Sequence, residues 1–389
     1  MIKTSFAIAF ALALIAERSG AQGALSLQGL GYPTGQMSAR AEGTGGGLAD
    51  FDPLSLVSPA ALASVGSAAV YFQYSPEFRK VTTSTASANT TTARFPVVEG
   101  VLPMGESWTL ALSSSTFLDR SFETNLARHM PVGDELTDTI TITERNKVLG
   151  AINDVRLALA WSRTQAFRVG VGLHVFPGSN RITFSQDFPD TSIFTGTIQT
   201  GRISYTGFGT SVGLDFRPSH VLGFALAGRL GGTLRAESGD TVLASGRIPD
   251  HYSASVIYEG LSGAVFSARV AHDSWSSLAP LSSDGVKAFD GWDTGFGVEM
   301  GGPRLASRVF MVRAGARFRT LPFGFNASSD PLAPDWKEVS EKSFMLGLGV
   351  PLSRDRAAFD LALQRASRSA GTSIKERGFI FSFGLRVSP

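Results

Sequence analysis

The residues that could do chemistry are few and scattered. Five histidines, His129, His174, His220, His251 and His272, stand far apart in a chain of 389 residues that contains no cysteine. Thiol catalysis, disulfide stapling and Cys-ligated metal are therefore excluded, and neither a cofactor nor a metal is expected. The glycine cluster Gly43, Gly45, Gly46 and Gly47 carries Leu48 where a dinucleotide fingerprint needs its third glycine, and GxxxxGK[ST], HExxH and GxSxG do not occur. A serine hydrolase needs Ser and His at neighbouring positions on one strand face. No pair in the sequence demands that reading, so no catalytic residue is assigned and no enzyme is expected. The 35 Lys and Arg nearly balance 33 Asp and Glu, which gives no general attraction for polyanions and no nucleic-acid partner.

What remains is a series of polar side chains, nearly all beside an apolar one: Asp154, Arg156, Arg168, His174, Asp215, Arg229, His251, Arg269, Asp273, Glu299, Arg313, Arg317, Arg319, Asp360 and Gln364. The elements that place them have a period of two. From Ala166 to Val175, Phe167, Val169, Val171, Leu173 and Val175 alternate with Ala166, Arg168, Gly170, Gly172 and His174. The same alternation puts Leu222, Phe224, Leu226, Leu230 and Leu234 on one face, and Phe379, Phe381, Phe383, Leu385 and Val387 on another. Fourteen strands follow, near 68–75, 94–102, 106–116, 153–162, 166–176, 201–217, 221–236, 248–259, 263–274, 291–300, 308–319, 341–350, 356–366 and 377–387.

Every second connection is short, and the others, such as 117–152, 178–200 and 320–340, are long. That rhythm is the mark of an up-and-down transmembrane barrel with both termini on the short-turn side. The soluble alternatives, a two-sheet sandwich or a β-solenoid, suit strands as long as 221–236 less well. Trp108, Trp161, Phe167, Phe216 and Tyr258 fall on the apolar face beside short turns, where an aromatic girdle belongs. The polar series then faces the lumen, since a basic side chain at mid-membrane costs roughly 2–4 kcal/mol.

The N-terminus reads as an export signal over 1–21: Lys3, an apolar run from Phe6 to Ala16, and small residues Ser19 and Ala21, with Gly23 as an alternative last residue. Residues 22–66 read as an irregular folded plug, broken at Asp52-Pro53 and Ser58-Pro59, and 67–389 as the barrel.

The stretch SARAEGTGGGLADFDPLSLVSPAAL (38–62), with Ser58-Pro59-Ala60 where Asn-Pro-Ala is usual, together with IPDHYSASVIYEG (248–260), VRAGARFRTLPF (312–323) and EKSFMLGLGVPL (341–352), resembles the FadL-type outer-membrane transport family. The resemblance implies an all-β, 14-stranded antiparallel transmembrane β-barrel in the bacterial outer membrane, with an N-terminal hatch in the lumen that includes Gly45, Gly46, Gly47, Pro53, Ser58, Pro59 and Ala60. It implies passive uptake of hydrophobic or amphipathic small molecules, of the long-chain fatty acid or aromatic hydrocarbon type, from an extracellular pocket toward a lateral opening. The alternative is a PorV-like scaffold barrel serving a secretion or surface-attachment system; a general porin is a third. The expected surroundings are outer-membrane lipid and lipopolysaccharide around a monomeric barrel. Phe117, Phe122, Phe188, Phe194, Phe323 and Phe325 lie on the long connections and are expected to line an apolar access groove. Below it, the lumen residues Arg168, His174, Asp215, Arg229, His251, Arg313, Arg317 and Asp360 are expected, with Arg313 and Arg317 as candidates to meet an acidic head group.

Overall fold

The alternation resolves into fourteen antiparallel strands, in a computed structural model that describes residues 31–82, 87–132, 138–164, 166–189, 194–281, 287–305, 308–326, 335–352, 356–370 and 374–389. The expected signal segment and residues 22–30 lie outside the described residues. The strands are β1 Ala69–Thr82, β2 Ser87–Arg94 with Val97–Met104, β3 Trp108–Asp119 with Phe122–Val132, β4 Asp138–Thr164 and β5 Phe167–Val175 with Gly178–Asp187. They continue as β6 Thr197–Phe216, β7 Leu222–Ser238, β8 Thr241–Arg247 with His251–Leu261, β9 Ala264–Asp273 and β10 Gly291–Leu305. The last four are β11 Arg308–Asn326, β12 Trp336–Leu352, β13 Ala357–Ala370 and β14 Ile374–Val387. β14 pairs with β1 from Lys375↔Thr82 to Val387↔Val70, so the sheet closes on itself.

Outward positions are apolar and exposed, for example Val171, Leu173, Phe208, Val212 and Phe344. Trp108 pairs with Trp161 at a ring separation of 6.4 Å, and Phe167, Phe216 and Phe224 are cross-strand neighbours, so a rim of aromatics runs beside the short turns. Gly105 and Gly263 take positive φ in two of those turns.

Two expectations are corrected. The stretches 117–152 and 178–200, and the flanks of 320–340, are not mostly loop: β3, β4, β5, β6, β11 and β12 run on into them as paired strand. Leu234 also points inward and is fully buried, because a register shift opposite Gly207 and Gly209 reverses the parity of β7 above Leu230.

Residues 31–65 run inside the wall. Tyr32–Pro33 forms a two-residue strand against Leu118–Asp119. Ser38 caps the short helix α1 (Ala39–Gly43), accepting from Ala41 N, and Pro59–Ser64 forms a 3-10 turn with Pro59 at its start. The inward glycines of the wall mark where this backbone lies: a Cβ on Gly297 would stand 2.1 Å from the Thr44 oxygen, one on Gly315 2.2 Å from the Gly45 nitrogen, and one on Gly170 2.4 Å from the Pro59 carbonyl carbon. Gly45 itself sits at φ +65, with its Cβ direction blocked 2.6 Å away by the Ala316 oxygen, so only glycine serves there.

Candidate functional site

Three wall irregularities border an apolar cluster in the upper lumen. Phe117 keeps the inward parity of Ala111, Ser113 and Ser115 on β3, and the bulge beside it buries Leu118 as well. Phe176 likewise ends the inward series Gly170, Gly172 and His174 of β5 just before Pro177, while the break at Ile248-Pro249 in β8, where proline cannot donate to a ladder, lets Ile248 be buried with parity opposite to that of Ser253, Ser255 and Ile257 beyond it. The connection after β9 then folds over them as a 3-10 segment, Trp275–Leu281, placing Trp275 on Phe117 at 5.4 Å in a stacked pair. Phe117 also meets Phe176 edge-on at 5.1 Å, and Tyr205, Leu234 and Leu278 complete the cluster.

Beneath it the Arg229 guanidinium lies 5.0 Å from the Phe117 ring and 5.8 Å from that of Phe176. Arg229 donates to Gln36 at 3.0 Å, and its Nε has no partner among the described residues. A cavity of about 70 Å³ lies here between the cluster and residues 33–37, lined by Gln36, Met37, Phe117, His174, Ser211 and Arg229 among others. It has room for a few waters and none for an alkyl chain, since ligand pockets run to several hundred Å³; a larger guest must displace Phe117, Trp275 or the luminal segment.

His174 bridges Asp154 and Ser211, 2.8 Å from each. The order is that of a hydrolase triad, but Ser211 lies in the middle of β6 with both neighbouring strands in register, so among the described residues no backbone N–H pair converges on it as an oxyanion hole. What the geometry does is tie β4, β5 and β6 to Gln36, which donates to Asp154 at 2.8 Å and to Ser115 at 2.7 Å.

The other expected lumen residues are also committed to partners. Arg168 pairs with Asp215 at 2.8 Å, and His251 with Asp273 at 2.8 Å. Arg313 bridges Glu299 at 2.5 Å and Asp360 at 2.6 Å, while Arg317 grips Asp293 through two bonds. Arg313 and Arg317 are thus neutralised in place, and Arg229 is the arginine beside the cavity with the weakest carboxylate contact, 3.9 Å from Asp154. The luminal segment joins the same network through Arg40 to Glu299 at 2.6 Å and Asp50 to Arg269 at 3.1 Å.

The wall is interrupted beside this site. β2 and β3 pair from Met104↔Trp108 up to Val97↔Ser115, with one further bond from Thr116 N to the Pro96 oxygen. Above that point Ser87–Arg94 pairs with β1 and Phe122–Val132 with β4, and no ladder joins the two among the described residues. At the foot of this gap, Arg94 on β2 meets Asp119 on β3 at 2.8 Å. Tyr32 sits behind the pair, its ring 4.7–5.2 Å from the guanidinium carbons of Arg79, Arg94, Arg319 and Arg368. Four carboxylates, Glu77, Asp119, Glu341 and Glu376, balance those four charges. Burial raises the Tyr32 phenol above its usual value, so it stays a neutral donor to Glu341.

Of the six phenylalanines expected at an access groove, the five whose side chains are described do not form one cluster. Phe117 is in the upper cluster, and Phe323 is buried in another with Tyr32, Leu321 and Val339. Phe188 stacks on Phe194 at 5.3 Å, Phe122 is half-buried opposite Val148, and the Phe325 side chain lies outside the described residues. Of the expected hatch residues, Gly45, Gly46 and Gly47 pack against β9, β10 and β11 or on Met37, and Pro53 is half-buried. Ser58, Pro59 and Ala60 are buried against Gly170 and Gly213, and Ser58 Oγ has no partner among the described residues. Sequence reasoning missed Tyr32, Gln36, Phe176 and Trp275; only the Phe176-Pro177 step carried a readable signal, a proline inside an otherwise regular strand.

No protein-family model matches the chain, and no curated protein matches it in sequence. Solved structures do match. A FadL homologue of Pseudomonas aeruginosa superposes with a TM-score of 0.62 at 14% identity, covering 92% of this chain and 99% of its own. The toluene transporter TbuX of Ralstonia pickettii gives 0.57 at 14% identity over 93% and 99%, and the monoaromatic hydrocarbon channel CymD gives 0.55 at 13% over 94% and 99%. At such low identity the likeness speaks to architecture: this chain has the fold of the FadL-type barrels.

Proposed function

We propose that the protein is a bacterial outer-membrane channel for passive uptake of hydrophobic or amphipathic small molecules, with residues 22–66 as its hatch and 1–21 as a removed export signal. The observation that carries this reading is the missing ladder between Ser87–Arg94 and Phe122–Val132, next to the luminal segment. A lumen filled by residues 31–65 suits bulk aqueous diffusion poorly, whereas the foot of the gap at Arg94, ten residues above Met104 and so about 25 Å up the wall, stands at the outer edge of the apolar band and offers an apolar solute a way to the lipid. In this reading a solute enters past Phe117 and Trp275, passes Arg229, and leaves where Arg94 and Asp119 guard the gap. The names of the structural neighbours, one a FadL homologue and two hydrocarbon transporters or channels, support the same substrate class.

The test is uptake of a labelled long-chain fatty acid and of an alkyl aromatic in a knockout strain and in the same strain complemented with the full chain. Complementation should restore uptake of at least one class. Equal uptake in both strains for both compounds would overturn the proposal and leave the scaffold alternative in its place.

A further inference from the structure

On the outer surface, Arg181 of β5 and Arg202 of β6 stand directly opposite each other. Both point away from the lumen, because their neighbours Asn180 and Ile203 face inward. Like charges in this position repel. Neither arginine takes part in a salt bridge or side-chain hydrogen bond among the described residues. The closest carboxylate by register, Glu237 opposite Ser204, makes no salt bridge with them. Beside the pair, the break at Pro177 opens an outward groove of about 590 Å³ lined by Leu149, Ala151, Asn153, Pro177, Arg181 and Arg202.

Height identifies the occupant. Arg181 lies fourteen residues above the rim aromatic Phe167, which at ~3.3 Å per residue and a tilt of ~40° is about 35 Å. The apolar band of such a barrel is about 25 Å tall, so the pair stands roughly 10 Å beyond the hydrocarbon, at head-group level. Below it the wall is continuously apolar through Val175, Leu173 and Phe208, suited to acyl chains.

We infer that Arg181 and Arg202 clamp a phosphate of a phosphorylated glycolipid of the outer leaflet, the lipid A part of lipopolysaccharide, with the Pro177 groove seating its sugar. Two guanidinium forks on one phosphate turn the repulsion into charge-assisted hydrogen bonds. The inference rests on the outer-membrane reading above but uses none of the transport machinery.

The experiment is native mass spectrometry of the purified full-length barrel in detergent, with bis-phosphorylated lipid A and with the same lipid dephosphorylated. The parent should retain the phosphorylated lipid about tenfold better, the size expected when about 1.4 kcal/mol of charge-assisted bonding is at stake. Arg181→Gln/Arg202→Gln should abolish the preference, and Arg181→Lys/Arg202→Lys, which keeps the charge and loses the fork, should keep only part of it. Heat-modifiable gel mobility checks that each variant is folded. Equal retention of the two lipids by the parent, or an undiminished preference in the Gln double variant, overturns the site. Displacement of the lipid by inorganic phosphate at equal concentration overturns the lipid assignment. Uptake by the Gln double variant should match the parent, so a failed uptake proposal and a failed lipid site give separate results.

Discussion

Putting methyl groups on the inner wall should loosen the luminal segment without opening the barrel. In the Gly297→Ala/Gly315→Ala double variant, the two new Cβ atoms fall 2.1 Å from the Thr44 oxygen and 2.2 Å from the Gly45 nitrogen. Both obstacles are backbone, so no side chain can swing aside, and residues 44–47 must move by about 1 Å to reach contact distances of 3 Å or more. Overpacking of this kind costs about 1–3 kcal/mol, and because both methyls strike the same peptide unit the costs do not add. A loss of ~2 kcal/mol in local stability corresponds to amide exchange about thirtyfold faster. Hydrogen exchange read by mass spectrometry should show that acceleration in peptides covering 38–56, while peptides from β10 and β11 stay protected. Gly201→Ala, where nothing lies within 4 Å of the new atom, is the control and should change neither. If 38–56 stays as protected in the double variant as in the parent, the wall glycines are not what admits the segment.

Three further outcomes are expected. Burial pushes the Glu42 carboxyl up to about 7; between the ordinary value near 4.5 and about 7 only the seated segment holds the proton, so its stability should fall as pH rises through that window and level off above it. Protection factors over 39–47, with the intrinsic base-catalysed rate divided out, should accordingly be lower at pH 8 than at pH 5, and Glu42→Gln should remove the difference. Tyr32→Phe deletes the hydroxyl that links Glu341 and Arg368 and should cost about 1–3 kcal/mol, whereas Tyr32→Ala also removes the ring between four arginines and should cost more; tryptic nicking near residue 40 would rank the two. Phe117→Ala should enlarge the cavity beside Arg229 and raise binding of a fluorescent apolar probe, and unchanged binding would show that Phe117 does not restrict the site.

Much of the architecture was readable in the sequence because lipid on one side and a lumen on the other impose a period of two on each crossing. Phe167 to Val175 shows it cleanly, and β14 does so to its last residues. The pattern also carried the inward glycines, although their purpose, to admit another backbone, is invisible without knowing what lies inside. The rest depended on register. Whether Arg313 meets a ligand or Glu299 and Asp360 is decided by how β10, β11 and β13 are staggered, which no single strand encodes. Leu234 was misplaced because one bulge reverses every side chain beyond it. The segment Trp275–Leu281 has no alternation, so nothing local marked it as the lid of the apolar cluster. The strand extensions beyond the lipid went unread for the opposite reason, since Thr- and Ser-rich runs such as 87–94 lack the apolar face that signals a crossing.

The luminal segment precedes β1 in the chain, yet the wall glycines that fit it belong to β5, β6, β10, β11 and β12. Nearly all of its contacts are therefore with residues synthesised long after it, and the loop entropy of those contacts makes them slow to form. A barrel that had already sealed β14 to β1 would have to pass this segment through an opening with no spare room, between walls cut to its backbone within an ångström. Order of assembly follows from that fit. The segment must lie in place while the sheet is still an open sheet, serving as the form around which the later strands wrap.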